Sequence, residues 1–167
     1  MKKACRMILI ALIQTLPLGS VHIAQSQQGL PESVQLKEEA AIELPGLPEG
    51  AKPLEMVLIR PGSFTMGTPD GEPARPKNEW PAHKVLITEP FYMGKYEVTQ
   101  AQWKSVMGEN PSWFRGSDDH PRAEMPSLPD HPVERVSWNA CQDFIEELNE
   151  LGQGTFRLPT EAEWEYA

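Results

Sequence analysis

Proline limits how long any regular element of this chain can be. Seventeen prolines are spread through 167 residues. Pro111, Pro121, Pro126, Pro129 and Pro132 exclude an element of any length from 109–132, because each removes a backbone donor and clashes with a preceding helical turn. Pro69, Gly71, Pro73, Pro76 and Pro81 make residues 68–82 a loop in the same way. Between these interruptions only short windows remain. Residues 56–59 form a β-rich run ended by Pro61-Gly62, and 63–67 read as a second strand closing on Gly67. Residues 84–88 and 91–98 supply two more strands.

Helix signals fill the other windows. Thr99 is placed as an N-cap with Gln102 at the capping-box position, and Gly108 stands where a C-terminal glycine is expected. Ser137 caps the clearest helix, in which Trp138, Cys141, Phe144, Ile145, Leu148 and Leu151 recur at spacings of three and four. Asp143, Glu146, Glu147 and Glu150 stay outside that stripe, and Gly152 ends it. Residues 155–158 are extended, and Thr160 with Glu163 forms a second capping box that starts a helix carrying Trp164 and Tyr166. Because that helix is begun well and lacks a C-cap, the domain is expected to be truncated. The expected fold is α+β, with little regular structure and a core that depends on aromatic packing. Trp138 and Trp164 are expected in that core, Arg157 as an internal ion-pair partner, and Asn110-Pro111-Ser112 as a turn, since proline in the middle excludes glycosylation.

The first 26 residues have the form of a secretory signal. Lys2, Lys3 and Arg6 precede an apolar run from Met7 to Leu16, and Ala24-Gln25-Ser26 offers a small-x-small cleavage site. A membrane anchor is the alternative, but Pro17 and Gly19 interrupt the run well short of the roughly 20 apolar residues a spanning helix needs. Loss of these residues removes three bases and no acid, moving the net charge from −9 to −12. Such a chain is a poor ligand for nucleic acid or an anionic membrane. Residues 27–54, rich in proline, glycine and glutamate, are expected to be a disordered tether, with ordered structure beginning near Glu55. Cys5 leaves with the signal, so Cys141 is the one thiol of the mature chain, either a core filler or half of a disulfide.

Four segments, in order, resemble the formylglycine-generating enzyme (sulfatase-modifying factor) family. They are Pro61-Gly62-Ser63-Phe64-Thr65-Met66-Gly67, then 91–99 with Gln102-Trp103, then 106–116, then 131–140 followed by 157–167. The resemblance covers roughly 55–167 and makes that stretch the N-terminal part of an enzyme domain. It implies a C-type-lectin-like fold and an oxygen-dependent conversion of a sulfatase cysteine to formylglycine. It also implies a copper(I)-binding cysteine pair with calcium nearby, since soft thiolates select that ion. In the family these groups lie downstream of the segment matching 157–166. No catalytic, cofactor-binding or metal residue is therefore assigned to this chain, and copper and calcium are expected only of a complete domain. Asp118, Asp119, His120 and His131, with His83, are the nearest thing to a ligand set, but they lack ligand spacing. The expected protein is an exported (periplasmic or extracellular) monomer. Its expected partner is a sulfatase or another exported client. A non-catalytic binding module and a structural envelope protein are the competing readings.

Overall fold

A computed structural model describes residues 10–12, 36–68, 81–115 and 129–167. Seven strands and three helices are assigned among them. In chain order the strands are β1 Ile10–Leu12, β2 Glu39–Ile42, β3 Leu54–Ile59, β4 Gly62–Met66, β5 His83–Ile87, β6 Phe91–Gly94 and β7 Thr155–Arg157. The helices are α1 Gln100–Met107, α2 Trp138–Glu150 and α3 Glu161–Tyr166. Five strands form an antiparallel sheet in the order β2-β3-β6-β1-β7, and β4 and β5 form a separate hairpin. The mixed α+β class follows the sequence reading.

The core lies between the large sheet and α1 and α2. Along β3, Leu54, Met56 and Leu58 are buried while the residues between them are half-buried, as a two-residue period requires. The α2 stripe contributes Cys141, Phe144, Ile145 and Leu148. Trp103 of α1 stacks on Phe144 of α2, with ring centroids 4.9 Å apart and planes 12° apart. β6 is buried at all four positions. Its Tyr92 joins the main core, whereas Phe91 and Met93 meet Ile59 and Ile87 in a smaller cluster.

The caps form as read. Thr99 and Gln102 exchange both capping-box bonds, and Gly108 takes the left-handed C-cap conformation with φ 80°. Thr160 and Glu163 do the same for α3. The Ser137 hydroxyl accepts from the Ala140 amide at the start of α2.

Two expectations are corrected. The tether does not extend to residue 54, because Glu39–Ile42 pairs along β3 and both Ile42 and Leu44 are buried. Ala40, Ile42 and Leu44 carry a strand period that the surrounding glutamates and prolines obscured. Trp138 and Trp164 are not core residues, being 63% and 48% exposed. Trp138 opens the first turn of α2, one turn ahead of Cys141, where the buried stripe begins. Ile10–Leu12, in the apolar N-terminal run, is the strand between β6 and β7.

Candidate functional site

The candidate site is a cavity of about 400 Å³ where the start of α1 faces β3 and the end of β6. Lys52, Lys95, Tyr96, Gln102 and Asp130 contribute its polar lining. Gln102 reaches it because the Thr99 cap fixes the first turn of α1. Its amide nitrogen donates to the carbonyls of Lys52 and Pro53 at 3.2 and 3.0 Å, and its oxygen accepts from the Thr99 amide at 3.0 Å. Asp130 accepts from the Lys52 amide at 3.3 Å. Lys95 is held by Glu39 at 3.0 Å and Glu55 at 3.6 Å. The hydrogen bond to Glu39 raises its pKa above the ordinary lysine value. Both lysine ammonium groups lie near the Tyr96 ring, Lys52 at 5.3 Å and Lys95 at 5.9 Å from its centroid. These polar groups are engaged with one another. The cavity can receive a small ligand, but it contains no nucleophile–base pair of the kind covalent chemistry needs.

A second constellation joins the segments 106–116 and 131–140. Asn110 Oδ1 accepts from the Ser112 amide at 3.1 Å, closing an Asx turn where the sequence predicts a turn. The Asn110 amide donates to Gln100 Oε1 at 2.9 Å, and Gln100 Nε2 donates to the Phe114 carbonyl at 3.0 Å. Ser112 is fully buried, and its hydroxyl accepts from the Glu134 amide at 3.1 Å. The Glu134 carboxylate accepts from the amides of both Trp113 and Phe114. Trp113 and Phe114 stay largely exposed on this frame, and the Arg135 guanidinium lies 5.4 Å from the Trp113 ring. Arg135 has φ 64°, the left-handed region that a non-glycine residue seldom adopts. The sequence reading missed Gln100 and Glu134. The Asn-Pro-Ser turn pointed to their neighbourhood, but nothing local pointed to the long-range partners.

The third constellation is the clamp that Arg157 was expected to make. Its guanidinium grips the Glu163 carboxylate with two hydrogen bonds of 2.7 and 2.5 Å. Glu163 also accepts from the Thr160 amide at 2.8 Å and hydroxyl at 2.9 Å. The Arg157 hydrogen bond, with those from Thr160, holds the Glu163 carboxyl down at about 2. Arg157 is shifted upward by the same partner.

Of the residues considered as metal ligands, Asp118, Asp119 and His120 lie outside the described residues. His83 is exposed at the start of β5, and its Nδ1 lies 3.1 Å from the Pro81 carbonyl. His131 uses its backbone carbonyl to accept from Gln100. Among the described residues no three His, Cys, Asp or Glu side chains come together as a metal site would require. Cys141 is buried in the α2 core face. The described side chains therefore do not fit a copper(I) centre, which needs converging soft donors. Among the described residues no helix is long and apolar enough to cross a membrane.

Comparison with known proteins matches residues 44–167 to the sulfatase-modifying factor enzyme 1-like domain. The chaperone protein LppX of Paenibacillus barcinonensis is 31% identical over 68% of this chain and 44% of its own length. The formylglycine-generating enzyme of Mus musculus is 32% identical over 74% of this chain and 42% of its own. The solved structure of PvdO from Pseudomonas aeruginosa superposes with a TM-score of 0.53 and 32% identity, covering 67% of this chain and 46% of that one. The chain thus spans less than half the length of these relatives.

Proposed function

The chain belongs to the sulfatase-modifying factor enzyme 1-like family over residues 44–167, and on that premise we propose that this stretch is the scaffold of a C-type-lectin-like, formylglycine-generating-type protein that serves exported polypeptides. In this reading residues 44–167 hold the frame on which a client cysteine would be oxidised, and supply none of the redox groups. The observation that carries it is Cys141, the one cysteine among the described residues, which is sealed in the core beside α1 rather than presented to solvent. A thiol so placed is an apolar filler, because reactive cysteines sit in accessible, electropositive surroundings. The family-motif residues Asn110, Ser112 and Glu134 are likewise occupied in positioning loops. Copper and calcium belong, in this proposal, to a complete family domain and not to the residues described above.

The test is oxygen uptake by the full chain supplied with copper(I) and a sulfatase-type cysteine peptide. The expected result is no uptake above a copper-only control and no formylglycine by mass spectrometry. Turnover that survives Cys141→Ser would place the chemistry elsewhere in this chain and overturn the scaffold reading.

A second reading is favoured by the relative that carries the name of a chaperone protein. An accessory module would slow aggregation of a refolding sulfatase at equimolar ratio, again without oxygen uptake. Exposed Trp113 and Phe114 offer the apolar contact such a role requires.

A further inference from the structure

Two strands of the central sheet, β1 and β2, come from outside the family-matched region, β2 at its edge and β1 inserted between two matched strands. Strand β1, Ile10–Leu12, pairs with Met93 and Tyr92 on one side and with Arg157, Phe156 and Thr155 on the other. It lies in the apolar run that has the form of an export leader. Its two neighbours belong to the matched domain. Tyr92, Met93 and Phe156 on the flanking strands are buried, and β1 is paired on both sides and so is not an edge strand.

Without β1, β6 and β7 would face each other across about 10 Å, two strand spacings, too far for direct pairing. Each would present a row of unpaired backbone groups in a buried setting, which folded proteins avoid. Direct closure is also unfavourable on topological grounds. Both strands run antiparallel to β1 and hence parallel to each other. Meeting would require a new hydrogen-bond pattern and a shift of α2, whose Asn149 side chain is bonded to the Phe156 amide and carbonyl at 2.6 and 3.1 Å. The gap therefore has a fixed width and a fixed strand polarity.

We propose that the gap between β6 and β7 is a strand-acceptor site, occupied in the unprocessed chain by the leader segment Ile10–Leu12. Removal of the leader then opens a site for a short, apolar, uncharged peptide running antiparallel to both walls. Main-chain hydrogen bonds on both sides select an extended segment with little dependence on its order of residues, and the buried Tyr92, Met93 and Phe156 alongside favour apolar side chains. The inference rests on reading residues 1–26 as a removable leader. The mass of the protein recovered after export tests that reading separately from the site.

The test uses the full chain with a sequence-specific protease site inserted between Ser26 and Gln27. After cutting, the released leader is expected to co-elute with the domain on size exclusion. Amide hydrogens of 91–94 and 155–157 should stay protected from exchange. Excess synthetic peptide with the sequence of residues 7–14 should displace the leader. Ala11→Pro should weaken retention at least about tenfold, because proline removes a ladder donor between two strands. Ala11→Val, which keeps the donor, should retain the leader and serves as the control for folding. The proposal is overturned if the leader elutes alone while those amides keep their protection. It is equally overturned if Ala11→Pro holds the leader as tightly as the parent chain.

Discussion

The large sheet with α1 and α2 is held together by burial, whereas the β4–β5 hairpin with α3 is held by a few directed contacts. In the first region Met56, Val98, Cys141, Phe144 and Leu148 have almost no solvent exposure. In the second, β4 and β5 alternate between exposed and half-buried positions, and α3 contains no buried residue. What fastens α3 is specific. Arg157 clamps Glu163, the Tyr166 hydroxyl donates to the Arg60 carbonyl at 3.1 Å, and Glu165 accepts from the Gly67 amide at 2.8 Å. The Tyr166 ring lies 5.4 Å from that of Phe64. Burial is non-directional and large in sum, while directed contacts contribute little each in net terms but define where a part sits. The two regions should therefore respond differently to mutation, pH and salt.

The greatest separation is expected from Phe144→Ala. Phe144 has no exposed surface and forms the stack with Trp103 that joins the two long helices. Truncation should cost about 3–5 kcal/mol, measured by urea denaturation. The loss should be the same at pH 7 and pH 3, because no titrating group is involved. A loss under about 1 kcal/mol would show that the helix interface collapses around the missing ring.

Glu163→Gln should act on the other region and carry a pH signature. The Glu163 pKa falls from its ordinary 4.5 to about 2 in the fold, chiefly through the Arg157 hydrogen bond. A carboxyl depressed on folding stabilises fully above its unfolded pKa. That contribution fades as pH falls from about 4.5 toward about 2. The substitution should cost about 2 kcal/mol at pH 7, combining a charged hydrogen bond with part of a cap. The gap between parent and variant should narrow through that window and close only below about pH 2. Urea midpoints that keep their separation at that pH would place the effect in packing instead.

How much of this was legible in the sequence follows the same division. Local signals were read correctly in both regions: the Thr99 and Thr160 caps, the left-handed Gly108, the α2 stripe from Cys141 onward and the Arg157 ion pair each depend on residues within a few positions. Signals that need a distant partner were not. Ala40, Ile42 and Leu44 carry a strand period, but only their pairing with β3 offsets the ordering entropy of a segment full of proline and charge. Gln100 and Glu134 are unremarkable polar residues until the 106–116 loop folds over them. The cavity escaped for the same reason, since Lys52, Lys95 and Asp130 come together from separate segments.

Gly62→Ala sharpens the contrast at smaller scale. A methyl group at Gly62 would come within 2.1 Å of the Tyr166 hydroxyl, so the tyrosine must swing away. Its ring tip can move, and the hydrogen bond it loses is exposed. The cost should be about 1 kcal/mol, seen as faster amide exchange in α3 with the large sheet unchanged. Exchange quickening in β3 as well would mean that the two regions unfold together.

The smallest effect is expected where the sequence promised a large one. Trp138 falls on the periodic stripe of α2, and a buried tryptophan truncated to alanine costs about 3–5 kcal/mol. With 63% of its surface exposed, Trp138 has few partners to lose. Trp138→Ala should change stability by less than about 0.5 kcal/mol, the range of ordinary surface substitutions. Trp138 emission should correspondingly be red-shifted and readily quenched by acrylamide, assigned by difference from the variant. A loss approaching that of Phe144→Ala would mean that the packed region extends past Cys141 to the first turn of α2. The boundary between burial and directed contact would then have to be redrawn there.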